Sequence, residues 1–269
     1  MSLTENVNAI GSVGIQYRSL GARKNTTSII QMPIFQRNTL SWDDDRRAAA
    51  FVSPRDSAAR LFALYVSGSI NNEQLTMNNV QGAGVPSNVR NAAALFEALR
   101  LYGITYIIDP SSSYIALSDD ASALDNLYFP YQTLAYRGGD CDDLSILFCS
   151  LLEVLGIESA FVTVPGHIYI AFEVGNAAWQ ANNRDIFTVD GKRWMPVEIT
   201  VPGQGFTQAW RIGARQWHNA GSEAEIFPIR DCWRIYPSVT VPGSGEGLPE
   251  MPEWAEIIRA MNNELQKIR

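Results

Sequence analysis

The run Tyr-Arg-Gly-Gly-Asp-Cys-Asp-Asp-Leu-Ser, residues 136–145, constrains the fold more than any other part of this chain. Asp140 is a good N-cap, Cys141 takes the first helical position, and Leu144, Leu147, Phe148, Leu151, Leu152 and Leu155 recur at three- and four-residue steps. That pattern predicts a buried helix closed by Gly156. Cys141 continues the stripe through Leu144, Phe148 and Leu152, so its sulfur should point toward packed protein. The first-turn N–H groups and the positive end of the helix favour a thiolate and can also hold an oxyanion. Asp142 and Asp143 act in the opposite sense, since nearby carboxylates raise a thiol pKa. A lone buried cysteine is most often a small hydrophobe, and the sequence downstream decides between the two roles.

Residues 157–164 form a strand-like run, Pro165-Gly166 a turn, and His167–Val174 a cleanly alternating segment. Ile168, Ile170, Phe172 and Val174 make one apolar face, which places His167, Tyr169, Ala171 and Glu173 on the other. After the hairpin signal Asp190-Gly191, the segment Trp194–Val201 repeats the alternation, with Glu198 on the polar face beside Trp194, Pro196 and Thr200. A cysteine at a helix start, a histidine opening a strand and a carboxylate on a second strand thus follow in order. Nucleophile, base and orienting acid require that set of residue types. Asp190 is the alternative acid. It has a shorter side chain but lies in a tight turn, where aspartate usually serves the local backbone.

Gly-Gly-Asp-Cys-Asp-Asp-Leu-Ser-Ile-Leu, Leu-Leu-Glu-Val-Leu-Gly-Ile, Pro-Gly-His-Ile-Tyr-Ile and Trp-Met-Pro-Val-Glu-Ile-Thr resemble the transglutaminase-like superfamily of papain-fold cysteine enzymes, of the bacterial transglutaminase-like cysteine peptidase type. The resemblance spans about residues 88–200. It implies an α+β fold in which the nucleophile helix packs on an antiparallel sheet, with Cys141 as nucleophile, His167 as base and Glu198 where the family has an aspartate. It further implies acyl transfer at an amide through a thioester, with hydrolysis of a peptide or isopeptide as the first expectation. Transglutaminase-type crosslinking and a catalytically inactive binding module remain alternatives, because one fold hosts several functions. No metal or organic cofactor is implied, and the expected partner is a protein or peptide substrate.

Acids outnumber bases by 28 to 21, giving a net charge of −7 with no long basic run. This argues against nucleic acid or an anionic membrane surface as the main partner. No stretch is long and apolar enough to span a membrane. The start Met-Ser-Leu-Thr-Glu-Asn reads as a truncation boundary, which leaves an extracytoplasmic bacterial location open. Oligomeric state is not legible. Among the three cysteines, Cys149 and Cys232 have the option of a disulfide, although Cys149 reads as a mid-helix packing residue.

Three segments are expected: an N-terminal segment over 1–87, with a strand and helices packed on the core; a transglutaminase-like catalytic core over 88–241; and a linker with a terminal helix over 242–269. Within the first, residues 1–27 read as loop or loose strand, 53–65 as a helix and 67–87 as a surface loop. Asp43-Asp44-Asp45 reads as solvated charge at a helix start, lacking the glycine and distal glutamate of a calcium loop. Residues 88–102 predict an amphipathic helix. The long stretch 111–137, with Tyr114, Tyr128, Phe129, Tyr131 and Tyr136, is a natural wall or lid for a cleft. Tyr131 and Gln132 are candidates there for a second oxyanion donor. His218 reads as a helix C-terminal charge partner. The scattered tryptophans suit core or cleft wall better than a sugar-stacking surface.

Overall fold

The computed structural model of the chain describes residues 5–76, 84–108, 124–241 and 250–268, residues 71–76 by their backbone alone. It divides into two compact units, residues 1–39 and 40–269. In the first, β1 (Val7–Ser19) and β2 (Ala22–Ile34) form one antiparallel hairpin, in register from Val7 opposite Ile34 to Ser19 opposite Ala22. Leu20 and Gly21 turn it, both at positive φ, 51° and 80°, as a two-residue hairpin requires. Of the stretch 1–27, expected as loop or loose strand, Val7–Ser19 is a paired strand and residues 22–27 begin its partner. Its alternation of Val7, Ala9, Val13, Ile15 and Tyr17 is broken by Gly11, and its turn is Leu-Gly instead of Asn-Gly or Asp-Gly.

The second unit begins near β3 (Thr39–Ser41) and continues into α1 (Ser57–Thr76) and α2 (Ser87–Tyr102). Asp56 caps α1, so the helix starts later than the expected residue 53. The Asp56 Oδ1 accepts from the N–H groups of Ala58 and Ala59, each at 3.0 Å. The helix runs past Tyr65 into the stretch expected as loop, and residues 77–83 of that stretch lie outside the described residues. Then follow β4 (Thr105–Tyr106), β5 (Leu124–Asn126), α3 (Pro130–Tyr136), β6 (Gly138–Gly139) and α4 (Cys141–Val154). The expected lid is thus partly regular from Leu124 onward. Residues 109–123, with Tyr114, and the expected linker 242–249 lie outside the described residues.

The remaining elements are β7 (Ser159–Val164), β8 (His167–Glu173), β9 (Phe187–Val189), β10 (Lys192–Val197), α5 (Phe206–Ala220), β11 (Glu225–Pro228), α6 (Ile229–Cys232) and α7 (Trp254–Lys267). Five strands form an antiparallel sheet in the order β11-β7-β8-β10-β9. This is the α+β architecture expected, with α4 packed on the sheet. Glu153 near the end of α4 ties the helix to the sheet: Oε1 accepts from the Ser159 N–H at 2.8 Å and hydroxyl at 3.0 Å, and Oε2 accepts from Arg230 Nε at 2.9 Å.

One face of the sheet, with Ile168, Ile170, Phe172, Met195, Val197 and Ile199, joins the α4 leucines in the main core. The opposite face, expected to be polar, forms a second core of Ala160, Val162, Tyr169, Ala171, Phe187 and Trp194. Helix α5 covers it. Trp217 stacks on Phe187 at 3.9 Å between ring centroids, and the Tyr169 hydroxyl donates to the Gly213 carbonyl at 3.1 Å. Burying side chains of this size contributes about 1.5–3 kcal/mol each, so a strand face that looks half polar in sequence is buried along most of its length. α5 approaches the sheet closely at Gly213, where a Cβ would lie 3.1 Å from Val197 N and 3.2 Å from Glu198 N.

Candidate active site

Cys141 opens α4 as expected. Asp140 is the N-cap, accepting from the Asp143 N–H at 3.5 Å, and the Cys141 side chain is buried. The Ile168 N–H, one residue beyond His167, and the Asp142 N–H both donate toward the Cys141 sulfur. The nucleophile candidate therefore lies at the start of β8, where His167 enters the sheet.

His167 and Glu198 meet across the β8–β10 ladder. The register sets Pro196 opposite Ala171, so Glu198 shares a face with Tyr169 and His167. The contact is His167 Nε2 to Glu198 Oε2 at 2.6 Å. Oε1 of Glu198 accepts from the Thr200 hydroxyl at 2.6 Å and the Thr200 N–H at 3.0 Å. The Glu198 N–H donates to the Ala209 carbonyl of α5 at 3.1 Å. Each carboxylate oxygen thus has a fixed partner, and the backbone behind it is held by α5. Since Nε2 faces the carboxylate, Nδ1 is the ring nitrogen left for proton exchange. The imidazole also stacks on Tyr169, with centroids 5.8 Å apart.

Burial works to raise the Glu198 carboxyl, but the hydrogen bonds and charge of His167 and the hydrogen bonds of Thr200 outweigh it and hold the group below the usual glutamate value. The thiol behaves differently from the sequence expectation. Burial first, then the Asp140 and Glu198 charges, push Cys141 up to about 12 against the opposing pull of the Ile168 and Asp142 N–H groups. A thiol so raised keeps its proton near neutrality, and a nucleophilic role would require that proton to leave during the step.

Other candidates fall elsewhere. Asp190 occupies the β9–β10 turn at φ 51°, followed by Gly191 at φ 75°, and the carboxylate on His167 is that of Glu198. On α3, the Gln132 Oε1 accepts from the Phe129 N–H at 2.9 Å and so caps its own helix, while Tyr131 packs against the main core. His218 faces the Arg184 carbonyl at 3.1 Å and lies 3.8 Å from Asp185. Cys149 and Cys232 are free, buried thiols, so the disulfide option is not taken up. Asp43 and Asp44 are ion-paired with Arg47 at 2.8 Å and Arg46 at 2.7 Å.

Two features escape the sequence. Asp140, Asp142 and Asp143 offer ligand atoms within 4.8 Å of one another, all buried. The three carboxylates suit a hard cation in type, but they are also engaged internally. The Asp143 Oδ1 accepts from the Tyr128 N–H at 2.6 Å, and the Asp142 Oδ1 from the Asp143 N–H at 2.6 Å. Burial and mutual repulsion hold the Asp142 and Asp143 carboxyls well above the usual range. The other feature is a cleft of about 260 Å³ against the helix start, lined by Ile107, Ile108, Tyr128, Tyr136, Gly139 and Asp140 among others. Only the single residue type at each position was visible in sequence, and nothing in spacing joins Ile107 to Asp140.

A family model described as the transglutaminase-like superfamily matches residues 81–199. No curated protein and no solved structure matches the chain. Among the described residues no helix is long and apolar enough to cross a membrane.

Proposed function

We propose, from the premise that residues 81–199 match the transglutaminase-like superfamily, that this chain performs acyl transfer at an amide with water as acceptor. The superfamily supports cysteine-based acyl transfer in general. The observation that carries the finer reading is the His167–Glu198 pair at 2.6 Å on the strand whose next N–H, that of Ile168, points at the Cys141 sulfur.

In this reading His167 Nδ1 takes the thiol proton as the Cys141 sulfur bonds to the carbonyl carbon. The carbonyl electron pair moves to oxygen. Collapse expels the amine, which leaves with the proton from His167, and a thioester remains on Cys141. Water, deprotonated by His167, then releases the acid. Glu198 orients the ring and offsets its positive charge, and Thr200 fixes Glu198. A neutral resting thiol is consistent with a general-base step and does not need a standing ion pair. Hydrolysis is preferred over crosslinking because it requires no second binding site for an amine.

The inactive-module reading is favoured by one observation, the thiol pushed up to about 12. A proteome-derived peptide mixture incubated with the chain, with and without a primary amine such as cadaverine, separates the outcomes by mass spectrometry. New peptide termini absent with Cys141→Ala support hydrolysis. Cadaverine adducts transfer the assignment to transamidation. No product of either kind, together with Cys141 inert to iodoacetamide, supports the inactive module.

A further inference from the structure

We propose that the Tyr106 hydroxyl is the side-chain donor that stabilises the oxyanion formed when the Cys141 sulfur adds to a carbonyl. This deepens the acyl-transfer reading above and rests on it.

The backbone fixes Tyr106 beside the nucleophile. Strand β4 pairs in parallel with β6, Thr105 opposite Gly138 and Tyr106 opposite Gly139, two residues before Cys141. The ladder is anchored on both sides, by Thr105 N–H to the Arg137 carbonyl at 3.0 Å and Ile107 N–H to the Gly139 carbonyl at 2.9 Å. Ile107 lies so close over Gly138 that a Cβ there would come within 2.5 Å of its Cδ1. Strand alternation sends Tyr106 to the other side, where it packs, half-buried, against the main core.

The chemistry of the surroundings calls for a donor at this place. Asp140 and Glu198 both bear on the Cys141 thiol as negative charges, so an oxygen that acquires charge beside that sulfur meets repulsion from two carboxylates. The Gln132 side-chain oxygen is turned to its own helix start. The Tyr106 hydroxyl makes no hydrogen bond among the described residues, and its phenol interacts electrostatically with Cys141, Asp140, Glu198 and Asp142 together. Burial, followed by these negative charges, pushes the phenol up to about 12. It is therefore a proton-bearing donor at neutral pH. In the addition step the hydroxyl donates a hydrogen bond and keeps its proton, while the thiol proton goes to His167 Nδ1. A donor placed where charge develops is commonly worth more than tenfold in rate.

The test uses the full chain and butanal, an aldehyde that adds to a thiol to give a hemithioacetal with a new oxygen at the oxyanion position. Iodoacetamide alkylates sulfur without building such an oxygen. The expected result for Tyr106→Phe is that the ratio of butanal protection to alkylation rate at Cys141 falls about tenfold or more. An unaltered ratio overturns the proposal. Should Tyr106→Phe fail to fold, tyrosine-labelled wild-type protein decides: butanal must move one tyrosine ring signal, in a manner lost with Cys141→Ala, and a spectrum without that shift overturns the assignment. A wild-type Cys141 that neither alkylates nor takes up butanal overturns the acyl-transfer reading itself, and the Tyr106 role with it.

Discussion

Thr200 gives both its hydroxyl and its backbone N–H to one oxygen of Glu198, at 2.6 and 3.0 Å, and so reserves the other oxygen for His167. The spacing of two residues just beyond the end of β10 lets the chain turn back on its own carboxylate. A glutamate so clamped presents its charge to the imidazole in one geometry, which a longer side chain free in solvent would not do.

Thr200→Val should leave that oxygen with the N–H alone. Hydrogen bonds to charged groups contribute about 1.5–3 kcal/mol, so urea denaturation should register a loss of that order. Cys141 alkylation should slow severalfold. An unchanged alkylation rate with the stability loss present would mean that the clamp serves only the fold.

Glu198→Gln should slow Cys141 alkylation about tenfold or more, whereas Asp190→Asn, in a turn at φ 51° that asparagine tolerates, should alter only stability and by little. The pH dependence has a definite sign. The Glu198 carboxyl is held below its ordinary value of 4.5, so its stabilising contribution is present above that pH and is lost as pH falls through the lower folded-state value. Acid titration of unfolding should therefore show a shallower acid limb for Glu198→Gln than for the wild type. Equal limbs would remove the pair from the stability balance.

Asp142 should act in the opposite direction. Its carboxyl is buried, one oxygen lacks a hydrogen-bond partner, and burial with the neighbouring Asp140 and Asp143 raises it well above the usual range. A raised carboxyl stabilises the fold below the unfolded-state pKa and costs stability as pH rises toward the folded-state value. Asp142→Asn should thus stabilise the protein at pH 7.5. The gain should vanish near pH 3. A destabilised variant at pH 7.5 would show that the ionised carboxylate is needed.

Cys141 alkylation should rise with pH through neutrality, since a thiol raised to about 12 holds little thiolate there and its proton must leave during the step. His167→Ala should lower the rate about a hundredfold, the scale of general-base assistance, and Cys149 and Cys232 should label more slowly. A plateau below pH 7 would mark a standing thiolate instead.

Gly139→Ala tests the approach to the helix start. A Cβ there would lie 2.5 Å from the Asp143 Cβ and 2.9 Å from its Oδ2, so the β6 strand must shift. Overpacking of this kind costs about 1–3 kcal/mol, measurable in urea, and Cys141 reactivity should fall with it. Normal reactivity would show that the N-cap region adjusts independently of β4.

The helix start at Asp140-Cys141, the turn at Pro165-Gly166, the alternation of His167–Val174 and the Glu198-x-Thr200 spacing are local facts, and sequence alone determined them because caps, turns and strand periods are set within a few residues. Those same periods placed His167 and Glu198 on a common kind of face. What alternation could not tell was that this face is a second core, because Tyr169, Ala171 and Trp194 are polar or small in pattern yet are covered by α5, a helix that begins 35 residues after Ala171. Nor could it give the direction in which the thiol is pushed: the favourable helix end was readable, but burial and the Asp140 and Glu198 charges that oppose it are summed only in three dimensions. The hairpin of the first unit went unread because a glycine interrupts its apolar period and its turn lacks the usual residues. Tyr106 carries no motif at all. It is brought to the start of the Cys141 helix by a two-residue parallel ladder to Gly139, and pairing between segments that far apart in the chain is decided by the packed fold, which alone brings them together.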